Sequence, residues 1–246
     1  MKLAYRILLA LASIGITLMY AMAPPAQGFR EPGSARILFF HAPEAMLCIF
    51  FFGWAAIMAG RYLLSGKKGP KSVAFDIRSM AANEVGFLLC FLATVTGMVF
   101  AYEQWGAAWD WDPRQVTILI QLLIYAAYFA LRSGFTSRER SAANAGAYCI
   151  FAFLTVPFLL WIVPRLSQIA TKHAGANGAV VGGGLDPTYR TIFYSCAVVI
   201  GLVGLFCYKL RVREATEAQE AIDNEISNSS SSDSRVVQPV RLRGSD

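Results

Sequence analysis

The 246-residue sequence predicts an all-α integral membrane protein with six transmembrane helices and a Trp-rich extracytoplasmic loop, and three observations carry that expectation. Hydrophobic residues make up 56% of the chain, mean hydropathy is +0.46, and charged residues are 15% against roughly 25% in a soluble domain. Six apolar runs reach or approach the roughly 20 residues that a helix needs to cross a hydrocarbon core. The runs are apolar throughout rather than alternating. Helices therefore satisfy the backbone in lipid, and the short two-residue repeats of a membrane β-barrel are excluded.

Taken in order, the runs cover residues 7–23, 42–64, 83–102, 115–131, 142–163 and 189–210. The first follows Lys2 and Arg6 and ends in Ala21-Met22-Ala23, which imitates a secretory signal and its cleavage site. Pro24 directly afterwards makes a poor processing site, so this run is expected to be retained as a membrane helix. An even count then puts both termini on one side. With the amino terminus inside, thirteen basic residues lie at cytoplasmic helix ends or loops: Lys2, Arg6, Arg61, Lys67, Lys68, Lys71, Arg78, Arg132, Arg138, Arg140, Lys209, Arg211 and Arg213. Six face out: Arg30, Arg36, Arg114, Arg165, Lys172 and Arg190. The split follows the positive-inside rule and accounts for the net charge of +6 without a nucleic-acid partner. Residues 1–213 read as one membrane domain. The remainder, 214–246, is acidic and then Ser-rich, and it is expected to be a cytoplasmic tail, disordered beyond a short helical extension of the last span.

All five cysteines fall inside apolar runs, and no Cys-x-x-Cys or Cys-x-x-Cys-His occurs. Dithiol oxidoreductase chemistry and covalent c-type haem carriage lack their signatures here. A Ser-His-Asp set, a nucleotide loop and a metal-hydrolase motif are likewise missing. Binding and transfer, rather than bond-making catalysis, is the expected activity.

The most distinctive feature is the hinge from Trp105 to Arg114, inside the outer loop 103–114. It places three indoles (Trp105, Trp109, Trp111) and two carboxylates (Asp110, Asp112) between two spans. Trp favours the headgroup region, which explains some enrichment. A cluster of flat faces beside Asp-Pro-Arg also suits a large planar ligand, for which haem is the obvious choice although stacking alone does not name it. The only two histidines, His41 at the outer start of the second run and His173 in the last outer loop, fall on the same predicted side as the hinge. Neutral imidazole is a common axial donor to haem iron. Asp112 before Pro113 also reads as a helix N-cap and first-turn pair, as does Asp186 before Pro187. Glu44, three residues after His41, either orients an imidazole N–H or favours the helix start.

The segment Arg36-Ile37-Leu38-Phe39-Phe40-His41-Ala42-Pro43, the hinge Trp105-Gly106 to Trp109-x-Trp111-Asp112-x-Arg114, and His173 resemble the cytochrome c maturation protein C family, also called haem exporter protein C. Val95-Thr96-Gly97 and Leu185-Asp186-Pro187 add weaker matches, and the resemblance runs to about Arg213. It implies a multi-pass protein of the bacterial inner membrane that binds haem b at the outer face and passes it to a periplasmic haem chaperone. His41 and His173 would be the axial ligands, and Trp105, Trp109, Trp111 and Asp112 the platform. Arg36 and Arg114 also explain themselves as snorkelling interfacial residues; by resemblance they hold haem propionates, as guanidinium groups hold carboxylates bidentately. Besides the lipid bilayer, the implied partners are ATP-binding-cassette subunits and a small membrane subunit of the maturation complex.

Departures from that pattern are visible. Ala108 replaces a ring usual in the family, Phe100 stands where a further Trp is common, and residues 157–173 lack the usual Trp pair. Asp112-Pro113 looks more like the related cytochrome c synthases, but those carry additional histidines within their helices, and two histidines do not furnish that second site. A membrane cytochrome b-like electron carrier is a further alternative. It would hold haem between helices within the bilayer.

Overall fold

The computed structural model describes residues 3–25, 29–66, 69–166, 171–172 and 186–236. His173, the Gly-rich stretch 175–184 and the end of the tail at 237–246 lie outside the described residues. Among the described residues the long helices follow the order of the six runs: α1 (Leu3–Met22), α2 (Leu38–Leu64), α3 (Pro70–Trp105), α4 (Pro113–Ser133), α5 (Arg138–Pro157) and α6 (Pro187–Val236). Five carry stretches long and apolar enough to cross a membrane, whereas α1 has a shorter one, Arg6–Met22.

Local chemistry sets the helix boundaries. Pro70 and Pro113 start α3 and α4 at positions where a missing N–H costs nothing. The Asp112 carboxylate accepts the Arg114 N–H at 2.9 Å, and the Asp186 carboxylate accepts the Thr188 N–H at 2.8 Å, so both Asp-Pro pairs are the caps the sequence suggests. Gly106 ends α3 in the left-handed region at φ 83°, donating its N–H to the Tyr102 carbonyl. Pro157 closes the regular part of α5. Its ring removes one backbone donor, and the chain widens into a π turn over Phe158–Ile162 followed by a tight turn, Val163–Arg165.

Helices α2 and α3 form the central pair, with α4, α5 and α6 packed around them and α1 resting on α6. Phe52 of α2 stacks on Tyr125 of α4 with ring centroids 3.5 Å apart. Phe52 also lies so close to Gly86 of α3 that a Cβ there would sit 2.7 Å from its ring. Such close backbone approach through a small residue is how helices associate in lipid, where burial of apolar surface offers little drive. A buried polar ladder adds specificity: Ser79 donates to the Ala55 carbonyl, and Asn83 to the Cys149 sulfur.

Two of the helices extend beyond the runs that announce them. At about 1.5 Å per residue, the 36 residues of α3 span about 54 Å, well over a hydrocarbon core of about 30 Å. The extra turns before Asn83 are held at the end of the bundle opposite the hinge. There Asp76, with its side chain 4% exposed, receives a bidentate pair of bonds from Arg132 of α4 at 2.8 and 2.7 Å, with Arg138 of α5 at 3.8 Å. The Ser141 hydroxyl donates to the Arg132 carbonyl and joins α5 to the same knot.

Helix α6 runs 50 residues, through Val236, where the sequence suggests disorder soon after Arg213. The expectation rested on the lack of apolar surface to bury. A helix growing from a packed span has already met its nucleation cost, however, and needs only propagation. Ala215, Ala218 and Ala221 favour it, and Arg211–Glu214, Arg213–Glu217 and Gln219–Asp223 pair one turn apart. Arg211 also grips Glu84 of α3 through two bonds of 2.6 and 2.9 Å, fixing where the extension departs.

The Asp76 knot makes a direct prediction. Arg132→Ala removes both bonds to a buried carboxylate and should destabilise the protein by on the order of 3 kcal/mol, the lower part of the range for a broken buried pair because Arg138 remains nearby. Thermal unfolding in detergent would show a lowered midpoint; an unchanged midpoint would mean that Asp76 is satisfied without Arg132.

Candidate functional site

Between the Gly106 turn and the Asp112 cap, the hinge crosses from α3 to α4 as an ordered loop rather than a slack link. Gln115, in the first turn of α4, folds back on it: its side-chain carbonyl accepts the Asp110 N–H and its amide donates to the Ala108 carbonyl, each at 3.0 Å. The Asp112 N–H in turn reaches the Asp110 carboxylate at 3.3 Å. This mesh holds Trp111 at φ 61°, the one positive φ of a non-glycine residue among those described. A bulky residue adopts that conformation only under constraint from its surroundings, and such strain gathers at binding sites. Its consequence is display. Trp111 is 71% exposed, edge-on to the half-buried Trp109 with centroids 5.8 Å apart at 86°.

Trp105 closes the other side of the hinge, edge-on to Phe100, which itself meets Phe29. Lys172 lies 5.8 Å above the Trp105 ring and pairs with the Asp110 carboxylate. Asp112 does more than cap. Only 5% exposed, its carboxylate also accepts the Thr171 hydroxyl at 3.1 and 2.9 Å and the Lys172 N–H at 2.8 Å. The residue that starts α4 thus pins the segment immediately preceding His173. Nothing in the sequence links positions 60 residues apart, so this role was not legible there.

His41 occupies the first turn of α2, as the sequence suggests, but it does not sit on the open surface. Its half-buried ring is turned into the α2–α3 interface, where Nδ1 lies 2.8 Å from the Ala93 carbonyl. Glu44 is buried too, accepting the Thr96 hydroxyl at 2.9 Å; that hydroxyl is 3.5 Å from Nδ1. The Nδ1 partner is therefore a backbone carbonyl, with Glu44 engaged one turn further in. The His41 ring faces Gly97, eight residues before Trp105, which puts it about 12 Å from the hinge measured along α3.

Arg36 lies in the short turn Ser34–Ile37 leading into α2. One terminal nitrogen reaches the Ala21 carbonyl at 3.4 Å, while Nε is buried with no hydrogen-bond partner among the described residues. Gln104, which the sequence does not single out, buttresses this approach by bonding the Glu31 backbone at 3.2 and 3.0 Å and the Ser34 hydroxyl at 3.2 Å. Arg114 is half-buried in the first turn of α4. The structure thus gathers Trp105, Trp109, Trp111, Asp112 and Arg114 with Lys172 at one end of the bundle. His41, on α2, and Arg36, in the turn before it, belong to the same end, and His173 lies outside the described residues.

These features define a class: a polytopic helical membrane protein that displays a braced aromatic and cationic platform at one end. The sequence matches the family model Heme exporter protein C over residues 1–226. The chain belongs to that family. It is 30% identical over 169 residues to Heme exporter protein C of Haemophilus influenzae, covering 69% of this chain and 65% of that protein, just under two thirds. The protein of the same name from Bradyrhizobium diazoefficiens is 26% identical over 208 residues, covering 82% of this chain and 76% of that one. The counterpart from Escherichia coli K12 is 27% identical over 163 residues, covering 66% and 62%.

The two carboxylates of the hinge should be separable by experiment. Asp112→Ala removes the cap and both contacts to the Thr171–Lys172 segment, whereas Asp110→Ala removes only the Lys172 ion pair and the Asp112 N–H acceptor. Amide exchange at Lys172 should quicken about tenfold in the first variant, as expected for a lost charge-assisted hydrogen bond of about 1.5 kcal/mol, and less in the second. Equal exchange in wild type and Asp112→Ala would remove Asp112 from any tethering role.

Proposed function

We propose that this chain binds haem at the periplasmic face of the bacterial inner membrane and hands it to a periplasmic haem chaperone during cytochrome c maturation. The observation that supports this best is the braced display of Trp111, held in a strained backbone with most of its ring open, beside two further indoles and the Asp112-tethered segment that leads into His173. Membership of the Heme exporter protein C family supports haem handling in cytochrome c maturation. The residues present fit such a cargo. The exposed indole suits a flat apolar macrocycle, and the buried Arg36 Nε without a partner suits a carboxylate such as a propionate.

On this reading Trp105, Trp109 and Trp111 receive the macrocycle, while Arg36 and Arg114 take the propionates. His41 and His173 ligate the iron of haem b. Haem carries the redox chemistry, and the protein supplies orientation and charge. His41 is fixed between two packed helices. His173 follows a segment held through side chains of the hinge, Asp112, Asp110 and Trp105 among them, so release proceeds by letting go of that side first. The partners are the chaperone, the ATP-binding-cassette subunits and a small membrane subunit. The positive-inside count supports a periplasmic hinge with both termini in the cytoplasm.

Haem titration followed by absorption spectroscopy tests the site. His41→Ala or His173→Ala should alter the spectrum, and the double variant should lose axial nitrogen ligation. Trp109→Ala and Trp111→Ala should each weaken retention by about 1 kcal/mol while the protein still inserts. A wild-type spectrum from the double histidine variant would refute the ligand assignment.

Orientation has its own test. Ala107→Cys, in a background without the five native cysteines, should react with an impermeant thiol reagent applied from the periplasmic side, and added haem should slow the reaction. Reaction only from the cytoplasmic side would overturn the handover scheme.

A further inference from the structure

The His41 ring lies against the backbone of Gly97. A Cβ at position 97 would fall 2.6 Å from the imidazole Cε1 and 3.0 Å from Nδ1, distances that no side chain tolerates without displacing the ring. The Ala93 carbonyl one turn away, at 2.8 Å from Nδ1, can only accept, so Nδ1 carries the proton and the lone pair of the neutral ring is on Nε2. Thr96, between these two positions, has its hydroxyl on Glu44 and completes the wall. Three consecutive contacts on one face of α3 thus fix the plane, depth and tautomer of a side chain that belongs to α2.

We propose that Gly97 and the Ala93 carbonyl position the His41 imidazole as an iron ligand, the glycine by providing the niche for the ring and the carbonyl by making Nε2 the ligating nitrogen. This rests on the reading of His41 as a haem ligand. Gly97 touches no cargo; it acts through His41. An imidazole restrained in this way keeps its direction when the opposite ligand is withdrawn, because its orientation is set by helix packing rather than by the iron.

The test uses the full chain, purified in detergent and titrated with haem, with His41→Ala as reference. Gly97→Ala should move the low-spin absorption spectrum toward that of His41→Ala and weaken haem affinity about 10- to 100-fold, the usual effect of disturbing the support of a metal-bound histidine. Gly86→Ala is the matched control. It introduces a comparable clash, 2.7 Å from the Phe52 ring, into the same α2–α3 interface without touching His41, and should leave the spectrum unchanged. A wild-type spectrum and affinity in Gly97→Ala, with both lost in His41→Ala, would overturn the positioning role and leave the ligand role standing. An identical change in Gly86→Ala would overturn it as well, by showing that splaying the helices suffices. No change in His41→Ala would remove the ligand reading and this inference together. Should Gly97→Ala not accumulate in the membrane, His41→Gly decides: added imidazole should enter the vacated niche and restore the low-spin spectrum, and failure to restore it would count against the niche.

Discussion

Close approach of α2 and α3 is the constraint on which the rest of the protein depends. In lipid, helices gain little from burying apolar side chains against one another, so contact depends on shape and on the few polar bonds that cross between them. Gly86 admits the Phe52 ring, Phe52 stacks on Tyr125, and α4 is thereby seated on the central pair. Further toward the hinge the same interface admits His41 against Gly97. One packing surface therefore serves both as the core of the bundle and as the mount for the His41 ring.

The two ends of the bundle solve different problems. Opposite the hinge, the bidentate Arg132–Asp76 and Arg211–Glu84 pairs, with Arg138 near Asp76, join α3 to α4, α5 and α6. At the hinge end the bonds run mostly between side chains and backbone and are concentrated in short segments. Gln115 braces the loop, Gln104 braces the approach to α2, and Asp112 collects the helix cap together with the Thr171–Lys172 segment. That asymmetry is what a protein needs if it must grip a cargo and then yield it without unfolding.

Asp112 also shows why the local and the functional explanations of a residue need not compete. As an N-cap it satisfies one backbone donor of α4, and a carboxylate has lone pairs to spare. The remaining capacity is taken by Thr171 and Lys172. A cap residue is positioned rigidly by the helix it starts, so it makes a dependable anchor for a neighbouring loop.

Much of the architecture was legible in the sequence because it follows from local rules. Apolar length identified the helices in their order, five of them long enough to cross a membrane and the first a shorter one, Asp-Pro pairs identified two of their starts, and the crowding of Trp105, Trp109 and Trp111 marked the hinge between α3 and α4. The extents of α3 and α6 were not legible, since their outer turns are stabilised by partners such as Asp76 with Arg132 and Arg211 with Glu84, distant in sequence and invisible to an apolar-run criterion. The same reason hid the roles of Gly97, Ala93, Gln104 and Thr171. A glycine and an alanine in an apolar helix carry no signal of their own, and only the packing of α2 on α3 turns them into the seat of a histidine. Composition and periodicity determined that this chain is a helical membrane protein with an aromatic hinge. Tertiary structure alone decided how that hinge is braced and which way His41 faces, because both depend on contacts between helices rather than on any property of a single segment.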